Sequence, residues 1–241
     1  NGSWPQPYGG HVMRDTSLPR GDRSFTPALG KVWLTPVYDA AIALLTREHV
    51  WRDAAVRAAD LKPFDKVIDV GSGTGTLLRQ MMSSCPPAEY LGVEPDPDVL
   101  AIAERKCGSV SHMIQWHNGF LDTLDLGRGW QPNKIISSLV LHQVSPEQKR
   151  AILEQISALL TPGGMVLIAD YMRQEPPLMR RLFRMTVQQL DGIEDTQPNA
   201  DGLIEEHLQE IFEDAERLRV FPTATGAISL WRGYTKKVPD S

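Results

Sequence analysis

From Lys66 onward, short runs of β-favouring residues alternate with longer stretches whose apolar positions recur at helical spacing. Lys66 to Val70, Tyr90 to Val93, Met113 to Trp116, Ile135 to Val140 and Met165 to Ala169 read as strands. Thr76 to Ser83, Pro97 to Lys106 and Pro146 to Leu160 read as the helices between them. The last helix has a written start and stop, with Ser145 as N-cap, Pro146 in its first turn, Gln148 at the capping-box position and Thr161-Pro162-Gly163-Gly164 closing it. Such alternation predicts an α/β domain built on a parallel sheet.

The flanks depart from this rhythm. Residues 1–30 are rich in Gly, Pro and polar side chains and read as an extended arm, while Val37, Ala40, Leu44, Val50, Ala54 and Ala58 predict two helices between Trp33 and Ala59. After Met165 to Ala169, Pro176-Pro177 precede a helical run, Leu178 to Leu190, and an acidic one, Leu203 to Ala215. Arg217 to Pro222 and Ala227 to Tyr234 then predict an antiparallel hairpin that completes the sheet. The division is therefore an N-terminal arm with lid helices, 1–60, and a core, 61–241, carrying an accessory segment at 173–215.

Chemistry enters at Val67-Ile68-Asp69-Val70-Gly71-Ser72-Gly73-Thr74-Gly75, a glycine-rich turn between the first strand and first core helix. There a ligand can reach backbone N–H groups and a helix N-terminus. Glu94 follows at the end of the second strand, where a carboxylate can accept both hydroxyls of an adenosine ribose. The loop reads G-x-G-x-G, and Thr76 stands where the dinucleotide fingerprint has its last glycine. That favours a nucleoside with an amino-acid tail over a pyrophosphate.

Together with the run Ile135 to His142, the turn Leu159 to Gly164 and Ile168-Ala169-Asp170-Tyr171, these residues resemble the class I S-adenosylmethionine-dependent methyltransferases, within them the ubiquinone/menaquinone-biosynthesis methyltransferase-like group. The resemblance implies a Rossmann-like fold, a seven-stranded mainly parallel sheet with a terminal antiparallel hairpin and helices on both faces. It implies S-adenosylmethionine as cofactor and S-adenosylhomocysteine as product, with Gly71, Ser72 and Gly73 at the methionine end, Glu94 on the ribose and Pro95 near the adenine. Asn118, Gly119, Phe120 and Leu121 occupy the loop that meets the adenine, with Phe120 where many relatives carry an acidic residue. Ser138 and Tyr38, the latter in a Tyr38-Asp39 pair like one in that group, complete the expected cofactor contacts. Asp69 is expected to orient the loop by accepting backbone hydrogen bonds.

His142 follows the fourth strand at the sheet edge where open α/β folds bind ligands and is the candidate base; where the group often has a second histidine, Gln143 follows here. Phe25, Trp33, His142, Tyr171, Met179 and Phe183 are the candidate acceptor-pocket residues, and Tyr171 and His207 are weaker candidates for the base. Arg180, Arg181 and Arg184 lie among apolar residues in a mixture that suits an acidic substrate or a membrane surface, although the acidic stretch beyond offers salt-bridge partners and predicts a solvated, paired face.

Composition narrows the picture. Lys plus Arg total 25 against 30 Asp plus Glu, a net charge of −5, which argues against nucleic-acid methylation. The resemblance implies the same, since the Asn/Asp-Pro-Pro-aromatic signature of relatives that methylate base amino groups is absent after the fourth strand. Two cysteines, Cys85 and Cys107, lie outside any ligand-spaced cluster, so no metal site or disulfide framework is expected. No run approaches the ~20 apolar residues of a membrane span and no signal-like start is present, so a cytoplasmic protein without a transmembrane segment is expected. The expectation is a methyltransferase for a small, partly apolar molecule, of undetermined oligomeric state. An NAD(P)-dependent reductase and a non-catalytic cofactor-binding subunit stand as alternatives.

Overall fold

A computed structural model describes residues 46–127 and 129–237. Seven strands form one sheet: β1 (Lys66–Val70), β2 (Glu89–Glu94), β3 (Ile114–Asn118), β4 (Lys134–Ser138), β5 (Met165–Tyr171), β6 (Glu213–Thr223) and β7 (Gly226–Tyr234). Their spatial order is β3-β2-β1-β4-β5-β7-β6. The first five run parallel, and β7 lies antiparallel to both β5 and β6. The chain leaves β1 toward one edge through β2 and β3, then returns to β1's other side as β4. This reversal opens a crevice at the carboxyl ends of β1 and β4, where α/β sheets take their ligands.

Alternate strand residues enter two cores. Val67, Ile136, Leu167 and Tyr171 pack on one face with Trp51 and Ala55 of α1 (Glu48–Ala58), Leu77 and Met81 of α2 (Thr76–Ser84) and Phe183 of the accessory segment. Ile68, Ile135, Val166 and Ile168 pack on the other with Leu153 and Ile156 of α4 (Pro146–Leu159) and with Ile204 and Leu208 of α8 (Leu203–Ile211). Helix α3 (Pro97–Cys107) links β2 toward β3. Burial on both faces explains why these strands read as continuous apolar runs. Helix α1, within the segment expected to form an N-terminal unit, thus lies in the core. The expected capping box on α4 is present, with Gln148 N–H on Ser145 Oγ and Ser145 N–H on Gln148 Oε1.

The accessory segment departs from expectation in three places. Its first helix is two, α5 (Pro177–Met185) and α6 (Val187–Asp191), because Thr186 leaves the helical region (φ −122°, ψ −81°) and shares its hydroxyl between Leu182 O and Thr225 O. Residues 193–201, unassigned from the sequence, form α7 (Ile193–Asp201) despite the internal Pro198. Helix α8 stops at Ile211, and by Glu213 the chain already pairs with Tyr234 of β7, so the acidic run yields to strand pairing. The fourth strand also ends early, at Ser138 instead of Val140, as Leu139 turns to φ +56°.

Candidate active site at the carboxyl edge of the sheet

The glycine-rich loop is held from the next strand. Gly71 N–H and Ser72 N–H both donate to Val93 O, at 2.9 and 3.0 Å, and Gly73 N–H donates to Glu94 Oε2 at 2.9 Å. Gly71 has φ +68°, and a Cβ there would overlap Val140 Cγ2, so glycine is required by backbone and by space. Above Gly73 the space is open among the described residues: none of them lies within 4 Å of where a Cβ would point.

Glu94 is buried and uses both oxygens, the second accepting Asp96 N–H at 3.1 Å. Burial raises its pKa, and the backbone N–H groups of Asp96 and Gly73 work against that rise. A carboxylate offers about four acceptor positions, so room remains for a ribose diol. Asn118, in register with Glu94, donates to Glu94 O and to half-buried Pro95 O, while Gly119 N–H donates to Glu94 O. Phe120 is exposed at this edge, Leu121 is buried beside it, and Ser138 ends β4 half-buried.

Asp69 is corrected. It holds no part of the loop: both its oxygens are buried without a hydrogen-bond partner among the described residues, as is Ser72 Oγ. The loop N–H groups have already gone to Val93 and Glu94. Desolvation pushes Asp69 up to about 7, against the pull of Arg52. Arg52 is itself paired to Glu48 at 2.6 Å. An orphaned acid and hydroxyl flanking an open Gly73 fit the ammonium-bearing end of a nucleoside-linked amino acid.

After β4 the chain is organised by Asp170, at the end of β5. Its Oδ2 accepts Val140 N–H at 3.0 Å and Leu141 N–H at 2.7 Å, and its Oδ1 accepts Tyr171 N–H and faces His142 Nδ1, each at 2.7 Å. His142 Nε2 lies 3.4 Å from Gln143 Nε2 and 3.7 Å from Asp191 Oδ2. Desolvation lowers the His142 pKa, but the charge and hydrogen bond of Asp170, aided by Asp191, more than reverse this and leave it raised. Tyr171 stacks edge-on to His142 at 5.2 Å, lies 5.4 Å from Phe183, and has its hydroxyl 2.5 Å from Thr225 Oγ1. Phe183 and Met179 are buried on the inner face of α5. His207 stands apart on α8, near Glu210.

Sequence reasoning passed over Lys149. Fully buried, it donates to Val144 O and to Asp195 O of α7, tying the accessory segment to the start of α4, and desolvation lowers it to about 8. Phe25, Trp33 and Tyr38 lie outside the described residues. Among those described, no cluster of His, Cys, Asp and Glu has the arrangement of a metal site, and no helix is long and apolar enough to cross a membrane.

Residues 68–166, spanning the loop, Glu94, His142 and α4, match the methyltransferase domain family. The chain is similar to the ubiquinone/menaquinone biosynthesis C-methyltransferase UbiE of Syntrophotalea carbinolica, 27% identical over 153 residues that make up 63% of each chain. The demethylmenaquinone methyltransferase of Deinococcus radiodurans is 24% identical over 208 residues, 84% of this chain and 85% of that one. Among solved structures, the S-adenosylmethionine-dependent methyltransferase SibL superposes with a TM-score of 0.63 at 17% identity, covering 88% of this chain and 60% of that one. Matches to UbiE and SibL thus span less than two thirds of those proteins. Fold, loop and family match together give the chain a methyltransferase domain over residues 68–166, on a fold it shares with solved S-adenosylmethionine-dependent methyltransferases. Its similarity within that class runs to methyltransferases named for quinone biosynthesis. A reductase or a purely binding subunit is not favoured by these matches.

Proposed function

We propose that the protein transfers the methyl group of S-adenosylmethionine to a small, partly apolar acceptor, with His142 as the general base and Asp170 as its positioning partner. The observation that carries the base assignment is the Asp170–His142 pair, built into the loop whose Val140 abuts Gly71 of the cofactor loop. With Nδ1–H on the Asp170 carboxylate, Nε2 carries the lone pair, which faces the Gln143 amide at a long 3.4 Å and is the one that would take a proton. S-adenosylmethionine, when bound, supplies an electrophilic methyl group on a sulfonium. Asp69 and Ser72 meet its ammonium end, Gly71 and Gly73 leave it backbone room, and Glu94 takes its ribose. Asn118 to Leu121 and Pro95 border the adenine.

The acceptor is read as an aromatic ring bearing an acidic O–H or C–H, in line with the quinone chemistry named in the relatives. Tyr171, Met179 and Phe183 form the apolar side of its pocket. The protein acts on a small molecule and not on nucleic acid, in the cytoplasm. Incubating the purified chain with methyl-labelled cofactor and a panel of hydroquinones and phenols tests the reading. Labelled product that disappears in His142→Gln, while cofactor affinity persists, supports it; no transfer to any ring acceptor overturns the acceptor class.

A further inference from the structure

The outer side of the accessory segment is built unlike the rest of the surface. Along α5, Met179 and Phe183 point inward and are buried, whereas Leu178 and Met185, on the opposite face, are 61% and 62% exposed. Leu190 at the end of α6 and Ile193 at the start of α7 continue the series at 64% and 56% exposed. Four of the eight exposed large apolar residues of the described chain therefore fall within sixteen consecutive positions.

The charges on this face decide what it fits. Arg180 turns back to Asp201 and Ala200 O, Arg173 meets Glu206, and Arg217 meets Glu175. Arg181 and Arg184 are exposed on α5 and have no acidic partner among the described residues. The expectation of a fully paired arginine face thus holds for Arg180 alone. Two unpaired guanidinium groups flanking Leu178 and Met185, in a chain of net charge −5, are placed against the overall charge. That combination suits a surface that is anionic at its rim and apolar just beneath it.

We propose that the outer face of α5, α6 and the start of α7 docks on an anionic lipid bilayer. Leu178, Met185, Leu190 and Ile193 enter the interfacial region, and Arg181 and Arg184 meet lipid phosphates. Asp191, Glu194 and Asp195, on either side of Ile193, set the acidic limit of the docking face. The docking inference stands on this face alone; with the proposed function, a membrane-resident acceptor would be delivered to Phe183 on the inner side of α5 and to Tyr171 of β5 beside it.

The test is co-sedimentation of the full chain with vesicles of phosphatidylcholine alone or with about one third phosphatidylglycerol, at low and high salt. The protein should sediment with the anionic vesicles, with binding about fivefold or more weaker in high salt and in Arg181→Glu/Arg184→Glu. Leu178→Ser/Met185→Ser should lose binding at either salt. Circular dichroism and cofactor affinity, which involve none of these residues, should be unchanged in both variants. Absence of binding to anionic vesicles, equal binding to both vesicle types, or undiminished binding by the variants overturns the proposal. So does a concentration-dependent dimer abolished by Leu178→Ser/Met185→Ser without vesicle binding, which would assign the face to a second copy of the chain.

Discussion

Asp170 Oδ1 lies 2.7 Å from His142 Nδ1, joining the last residues of β5 to the loop after β4. The same carboxylate accepts three backbone N–H groups, from Val140, Leu141 and Tyr171. One side chain therefore both shapes the loop and sets the imidazole's tautomer. If His142 is the base, it must be neutral to act, and Asp170 favours its charged form. Turnover should rise with pH through a midpoint above the ordinary histidine value of about 6.5. His142→Gln should lower turnover by about 10² or more at every pH. In Asp170→Asn the remaining desolvation pulls the other way, so the midpoint should fall; a pH–rate profile that does not move would leave Asp170 a purely structural group.

Glu94 anchors the glycine-rich loop through Gly73 N–H as well as serving the expected ribose role. Glu94→Ala should weaken S-adenosylmethionine binding by about 2–3 kcal/mol, because both charge-assisted bonds and the loop anchor are removed. Glu94→Gln retains one acceptor oxygen and should lose roughly half of that. Isothermal calorimetry checks both, with NAD(H) as the control ligand that should not bind.

The orphaned Asp69 makes a stability prediction. Its pKa is about 7 folded against an ordinary 3.8. Below the lower value both folded and unfolded chains carry the proton; between the two only the folded chain keeps it, so stability falls as pH rises and levels off above about 7. Asp69→Asn removes this dependence, up to about 4 kcal/mol at the limit. Urea unfolding at acid and neutral pH should show the wild type losing more stability than the variant. Cofactor binding should be weaker in the variant, since the ammonium loses its anionic partner.

Gly71 and Val140 should behave as a coupled pair. Gly71→Ala adds a methyl group where Val140 Cγ2 already sits, on a backbone with positive φ, and should cost about 2–4 kcal/mol. Val140→Ala in the same chain should recover part of this by opening the space, leaving the backbone strain of about 1 kcal/mol. A double-mutant cycle by chemical denaturation measures the coupling, and simple additivity would show that the loops do not press on each other.

The sequence alone determined the parallel α/β alternation, the terminal hairpin, the glycine-rich loop and the acid that follows it. These are local features: periodicity of two or 3.6, a capping box at Ser145, and glycines that a sharp strand-to-helix turn demands. Tertiary structure decided what each buried polar group meets. Whether Asp69 held the loop depended on Val93 and Glu94 having taken those N–H groups, which only the β1–β2 register arranges. His142 acquired Asp170 from 28 positions away because β4 and β5 are neighbours, and Lys149 acquired Asp195 O across 46 positions because α7 packs on the turn at 141–143 just before α4. At the break, Thr186 joins a local bond to Leu182 O with a distant one to Thr225 O on the hairpin, and only the second depends on tertiary structure. Propensity and spacing act within a few residues, whereas a buried donor or acceptor is satisfied by whatever the packed chain brings within about 3 Å.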